Sequence, residues 1–414
     1  MRSDEPRWPR GASSVFLTLL LGYAGFYFCR ANVDAALPYL QADYGYDKAR
    51  LGTVTSIAIL GYAIGKVVLG AATEAVGGRA MFLFALFSSV IASFAIGATH
   101  LFFGVAALIC LNRFAQSGGW SGLVDVASRW FPRASYGTVM GGLSTSYELG
   151  NVVALLVSGA VAYRFGWRAL FVVNPAVLAI IGLVALFTLR GAPAPAQGRP
   201  SPAKKHEVRS VLRALAKQRA LGYALVLSFV LTFVRTGFLT WTPTFLAELA
   251  KGEAHAVPIA IAKSAVFPAA GMIGALVVGR LSDRLGPGRR APAMAASLAL
   301  LVASVLLLAH AGVGSTRVAI VAVGACGLFL LGPYSLLSGA VSLDVAEDGG
   351  AATAAGLVDG VGYVGASLSG VVLGALADRG GWPLAFDAVA LVSAVALAIT
   401  IAWSRDSTRS DARP

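Results

Sequence analysis

Apolar stretches of about 20 residues follow one another along almost the whole chain, with short polar breaks between them. Each is long enough to cross a ~30 Å hydrocarbon layer as a helix. Twelve are found, near residues 13–40, 51–73, 80–99, 101–130, 136–163, 167–189, 220–248, 257–280, 291–312, 316–342, 351–377 and 382–403. The runs are continuously apolar rather than alternating, which points to helices and away from a β-barrel. The pattern predicts an all-α membrane protein with 12 transmembrane helices.

The longest polar stretch separates the sixth and seventh of these runs. It begins Pro/Ala-rich, as a flexible linker does. It ends with Val208, Val211, Leu212 and Leu215 at helical spacing among Arg209, Arg213 and Lys217, the pattern of a short amphipathic helix on a membrane face. The chain therefore divides into an N-terminal six-helix half (1–190), a cytoplasmic linker (191–219) and a C-terminal six-helix half (220–414). The halves repeat. Arg30 lies deep in the first apolar run and Arg235 deep in the seventh. Forty residues after Arg30, Gly70 opens a charged turn with Glu74, Gly77, Gly78 and Arg79; 44 residues after Arg235, Gly279 opens another with Asp283, Arg284, Gly286, Arg289 and Arg290. Two pseudo-symmetric halves with a site near the midplane are the expected plan of a transporter.

Charge narrows the picture. Charged residues are 13% of the chain, mean hydropathy is +0.74 and net charge is +13. Soluble domains carry about 25% charged residues. With a cytoplasmic N-terminus, the tails and the loops on that side hold 21 Lys/Arg, the opposite loops 7, and the spans five. That bias sets both termini in the cytoplasm of a multi-pass cell-membrane protein. The basic residues are topological, and nucleic acid is not an expected partner. The first span has no small-residue cleavage site after it and is expected to be retained.

A charge at the centre of a spanning helix costs roughly 2.5–3.5 kcal/mol on insertion scales. Two arginines at matching positions suggest one anionic substrate held by both halves. Cys29, Cys110 and Cys326 are far apart, and His100, His206, His255 and His310 stand away from helix centres. No metal or cofactor is expected. No nucleophile–base constellation and no Walker phosphate loop appears, so neither an enzyme nor an ATP-driven pump is expected.

The charged turn ending G-x-x-x-D-R-x-G, together with Arg113, Gln116 and Gly119 in the fourth span, resembles the signature of the major facilitator superfamily. Within it, Gly22–Asn32 with Pro38-Tyr39-Leu40 resembles the first helix of the organophosphate:phosphate antiporters. Further likenesses are Gly61-Tyr62 with Lys66, Gln116 with Trp120, Arg235 with Trp241 and Pro243, Gly332-Pro333, and the run around Tyr363. The resemblance implies exchange of a sugar or glycerol phosphate for inorganic phosphate by a unit that works as a monomer. It implies phosphate binding by Arg30 and Arg235, with Lys66 as a third cation. Tyr23, Tyr27 and Arg30 share one helical face. With Tyr62, Tyr147 and Tyr363 these tyrosines are candidates for substrate hydrogen bonds or for packing. Glu74, Arg79, Asp283 and Arg284 are candidates for ion pairs that form and break between states.

The chain also departs from that pattern. Tyr147 stands where the glycerol-3-phosphate transporters have a cavity histidine, and Ser121-Gly122 replaces a Pro-Pro pair. Asp34, Asp125, Glu148 and Asp359 add acids within the spans. Asp34 is four residues from Arg30, in range to pair with it. The acids have three readings: balance of the buried cations, substrate selection, or proton coupling, with Asp34, Glu148 and Asp359 as coupling candidates. Two alternative functions follow: a proton-coupled carrier of a sugar, carboxylate or drug, and a non-transporting organophosphate sensor.

Overall fold

The computed structural model describes residues 11–99, 101–131, 136–190, 218–285, 290–337, 341 and 351–411. Among them every regular element is helical: α1 Ala12–Phe26, α2 Phe28–Tyr44, α3 Lys48–Val76, α4 Gly78–Ala98, α5 Phe102–Trp130, α6 Tyr136–Phe165, α7 Leu170–Thr188, α8 Arg219–Leu249, α9 Ala256–Ser264, α10 Val266–Leu285, α11 Ala291–His310, α12 Thr316–Leu336 and α13 Ala351–Asp411. Residues 191–217 of the linker, with the expected amphipathic helix, lie outside the described residues.

Ten spans among the described residues are long and apolar enough to cross a membrane. Two of them are broken helices: α1 with α2, and α9 with most of α10. The segment Gly356–Asp406 within α13 counts as one span of 51 residues. It breaks at Gly380 and Gly381, the latter with φ 72°, a left-handed value that glycine adopts without strain. Helix α5, 29 residues long, stands outside the ten; its apolar part is interrupted by Asn112, Arg113 and Gln116. With α5 added and α13 split at its break, the architecture is consistent with the twelve expected crossings.

Two compact units are formed. The first contains residues 1–44, 57–199 and 257–265; the second contains 45–56, 200–256 and 266–414. In the first, Phe26 meets Phe82 edge-on at 5.7 Å, and Gly119 leaves the space that the Phe26 ring fills. Pro258 and Ala262 of α9 pack on Gly159 of α6. Large apolar side chains such as Phe103 and Phe187 remain exposed, as expected of surfaces that face lipid.

In the second unit, Phe238, Phe245, Phe267, Trp382 and Phe386 form a continuous aromatic cluster. The first turns of α3 are anchored here. Lys48 Nζ lies 2.9 Å from Glu248 and 3.8 Å from Asp378, and Trp382 Nε1 donates to Glu248 at 2.7 Å. The Ala49 amide donates to Asp378 at 2.7 Å and caps the start of the helix. Helices α10 and α12 approach at glycines: a Cβ on Gly274 would overlap the Leu328 carbonyl, and one on Gly327 the Phe267 carbonyl. Small residues at such crossings let membrane helices pack backbone to backbone. Pro333 within α12 leaves the Phe329 carbonyl without its helical donor, and the Ser297 hydroxyl donates to that carbonyl at 2.8 Å.

Candidate functional site

The first unit gathers its candidate residues around Arg30. Helix α1 ends at Phe26 and α2 resumes at Phe28, so the break falls at Tyr27. There the Tyr27 amide bonds to the Ala24 carbonyl at 3.1 Å, the tighter pattern of a 3₁₀ turn. Further along, Pro38 removes the amide that the Asp34 carbonyl would accept from. Arg30 thus lies between two weakened turns of one span.

Its guanidinium is held in place. Nε donates to Gln116 Oε1 at 3.1 Å, and Nη1 to the Tyr27 hydroxyl at 3.2 Å. The rings of Tyr27 and Tyr62 lie 4.8 and 4.9 Å from the guanidinium carbon, within range of cation–π attraction. Lys66 Nζ is 5.8 Å from the same Tyr62 ring. Tyr23 meets the Tyr27 ring at 6.4 Å and Trp120 at 5.0 Å. Arg30, Tyr23 and Tyr27, which share a helical face, therefore lie together with Tyr62 and Lys66 of α3.

A layer behind them fixes their orientation. Gln116 Nε2 donates to the Cys29 carbonyl at 3.1 Å and to Asn112 Oδ1 at 2.9 Å, while Asn112 Nδ2 also reaches the Cys29 carbonyl at 3.0 Å. These bonds point the Gln116 oxygen at Arg30. Arg113 lies beside them, with Nη2 3.4 Å from the Arg30 carbonyl and 3.5 Å from the Asp34 carboxylate. The Asp34 carboxylate thus meets a cation on another helix, besides having Arg30 one turn away on its own. Buried ion pairs roughly break even against desolvation, whereas removal of one partner is costly.

In the second unit, the Arg235 guanidinium lies 5.0 Å from the Tyr334 ring, a cation–tyrosine stack like that of Arg30. Tyr334 follows the Gly332-Pro333 pair, but its place beside Arg235 depends on packing of α8 against α12. Asp359 and Tyr363 stand half-buried one turn apart on α13. Tyr147 is half-buried on α6 of the first unit, and the neighbouring Glu148 is buried there. Arg79 donates through Nε to the Leu189 carbonyl at 2.5 Å and through Nη2 to the Leu186 carbonyl at 2.9 Å, a cation on the end of α7. Arg284 is exposed at the end of α10. The side chains of Glu74 and Asp283 lie outside the described residues. Among the described residues no group of His, Cys, Asp and Glu is placed to hold a metal.

The family model of the Major Facilitator Superfamily matches residues 19–369 and, in a second match, 264–414. The chain belongs to this superfamily. It is accordingly a multi-pass protein of a membrane-transport family and not an enzyme. It is 27% identical to the "Probable hexose phosphate transport protein" of Chlamydia pneumoniae, over 96% of this chain and 93% of that one. It is 27% identical to the glycerol-3-phosphate transporter of Bacillus subtilis (strain 168), over 93% and 90%. The membrane sensor protein UhpC of Escherichia coli (strain K12) is 26% identical over 96% and 93%. Among solved structures, a bacterial homologue of the human lysosomal transporter Spinster matches with TM-score 0.79 at 15% identity, covering 96% of this chain and 98% of that one. That last likeness concerns the fold alone.

Proposed function

We propose that this protein is a secondary active transporter that exchanges a small organic phosphate, a sugar or glycerol phosphate, for inorganic phosphate by alternating access. The carrying observation is Arg30, half-buried in a span and held by Gln116 and Tyr27 beside two tyrosine rings. The sequence relatives named for hexose phosphate and glycerol-3-phosphate transport support the same reading. A guanidinium offers a planar fork of donors matched to phosphate oxygens and keeps its charge in an apolar setting. Arg30, Lys66 and Arg235 are the cationic contacts of the substrate, with Tyr23, Tyr27, Tyr62, Tyr147 and Tyr363 as further contacts. Without a bound anion the cationic site resists reorientation, which favours exchange over one-way movement. Asp34, Glu148 and Asp359 tune that charge. Glu74, Arg79, Asp283 and Arg284 act at the turns where states interconvert. Both termini face the cytoplasm of the cell membrane, and one chain suffices.

The likeness to a membrane sensor favours one second reading, in which the same site binds an organic phosphate without carrying it. The acids within the spans favour another, proton coupling.

Binding is tested by thermal unfolding of the purified protein. Inorganic phosphate and one sugar or glycerol phosphate are expected to raise Tm, with sulfate weaker. Gln116→Leu removes the oxygen that holds Arg30 and is expected to weaken apparent phosphate affinity roughly tenfold or more, since hydrogen bonds to charged groups contribute about 1.5–3 kcal/mol. No protection by any phosphate, in a protein that unfolds cooperatively, would defeat the reading.

A further inference from the structure

A second basic cleft lies sixteen residues beyond Arg113 along α5, roughly 24 Å at helical rise. It has a volume of about 270 Å³ and opens where α4 begins, α5 ends and the chain leaves α7. Arg79, Arg129 and Arg190 line it. Asp125, the acid that lines it among the described residues, is already engaged: one oxygen accepts the Gly78 amide at 2.8 Å and the other pairs with Arg129 at 2.8 Å. Arg79 is pinned by carbonyls at the end of α7, so its positive charge is fixed at the cleft. Among the described residues, three guanidiniums against one carboxylate leave a local excess of positive charge, beside the amino end of α4, which itself favours anions.

Trp130 adds a separate observation. It lines the same cleft and is 5% exposed, yet its indole Nε1–H has no hydrogen-bond partner among the described residues. A buried donor left unpaired costs about 1–3 kcal/mol and calls for an acceptor. The cleft is smaller than the roughly 300–1,000 Å³ typical of drug-sized ligands, so it suits a compact anionic group.

We propose that this cleft is a second anion site, distinct from the Arg30 region, that takes a phosphate group: its oxygens pair with Arg190 and Arg129, and the Trp130 ring shifts to bring its buried Nε1–H to one of them. On the proposed topology it lies at the cytoplasmic membrane surface, where that group is either the headgroup of an anionic phospholipid or a soluble phosphate.

The test uses full-length, delipidated protein carrying Arg30→Ala and Arg235→Ala, so the outcome does not depend on the proposed transport site. Thermal unfolding is followed with phosphatidylglycerol in mixed micelles and, separately, with inorganic phosphate alone. At least one probe is expected to raise Tm. Trp130→Phe, which keeps a ring in place, and Arg190→Ala, at an exposed position, are each expected to weaken that effect at least fivefold in apparent affinity. Stabilisation by the lipid alone identifies a headgroup site, and stabilisation by phosphate as well identifies a soluble-anion site. If neither probe shifts Tm, or if both variants respond like their parent, the proposal is overturned.

Discussion

Arg30→Lys is expected to lower phosphate exchange by about 100-fold or more while leaving the protein folded. Lysine keeps the charge but loses the fork. It cannot reproduce the Nε bond to Gln116 together with the Nη1 bond to Tyr27, and it presents a point charge where a planar group lies against two rings. Two hydrogen bonds to a charged group amount to roughly 3 kcal/mol or more, or about two powers of ten. Arg235→Lys is expected to fall similarly, because Arg235 stacks on Tyr334 as Arg30 does on Tyr27 and Tyr62. Initial rates in reconstituted vesicles measure both. A near-normal rate for Arg30→Lys would show that charge alone suffices and would remove the geometric argument.

The second large effect concerns stability. Gly327→Val is expected to destabilise the second unit severely, because any Cβ at 327 meets the Phe267 backbone carbonyl rather than a flexible side chain. Overpacking of a tight core costs about 1–3 kcal/mol and sometimes more, and here the obstructing atom cannot rotate away. Gly274→Ala should act in the same direction through the Leu328 carbonyl. Gly222→Ala is the control: nothing lies within 4 Å of the added carbon, so Tm is expected to hold or rise slightly. Tryptophan fluorescence during heating reports all three. A Gly327→Val protein with unchanged Tm would mean that α10 and α12 do not approach as described.

Much of this architecture is legible in the sequence, because length and apolarity alone dictate membrane helices. The spans begin and end within a few residues of the apolar runs, and even α5 is found despite its three charges. The breaks are less legible. Nothing in the local pattern around Tyr27 marks the interruption of a span, whereas Pro268, just past the break at Ala265, and Gly380-Gly381 signal theirs. Packing boundaries are also hidden: residues 45–56 belong to the second unit although α3 runs on into the first.

The site shows the same division. Tyr23, Tyr27 and Arg30 share a face by helical spacing, so one helix suffices to group them. Gln116 and Asn112 reach Arg30 and the Cys29 carbonyl from another helix, and Tyr334 reaches Arg235 likewise; such partners follow from packing that sequence spacing does not encode. Asp34 makes the point most clearly. Local spacing offers Arg30 as its neighbour, and packing brings Arg113 to its carboxylate. Gln116 and Arg113 do carry a sequence signal: with Asn112 they fall at i, i+1 and i+4, a polar strip within an apolar run.

Counterflow tests exchange most directly. Vesicles containing the purified protein are loaded with unlabelled phosphate, and uptake of labelled phosphate is followed with and without external sugar and glycerol phosphates. The account predicts uptake that requires internal phosphate, is inhibited by at least one organic phosphate, and persists when a protonophore collapses the pH gradient. Absence of uptake by a folded protein whose Tm still rises with phosphate would contradict transport and leave a sensor; uptake that needs a proton gradient and not internal phosphate would contradict exchange.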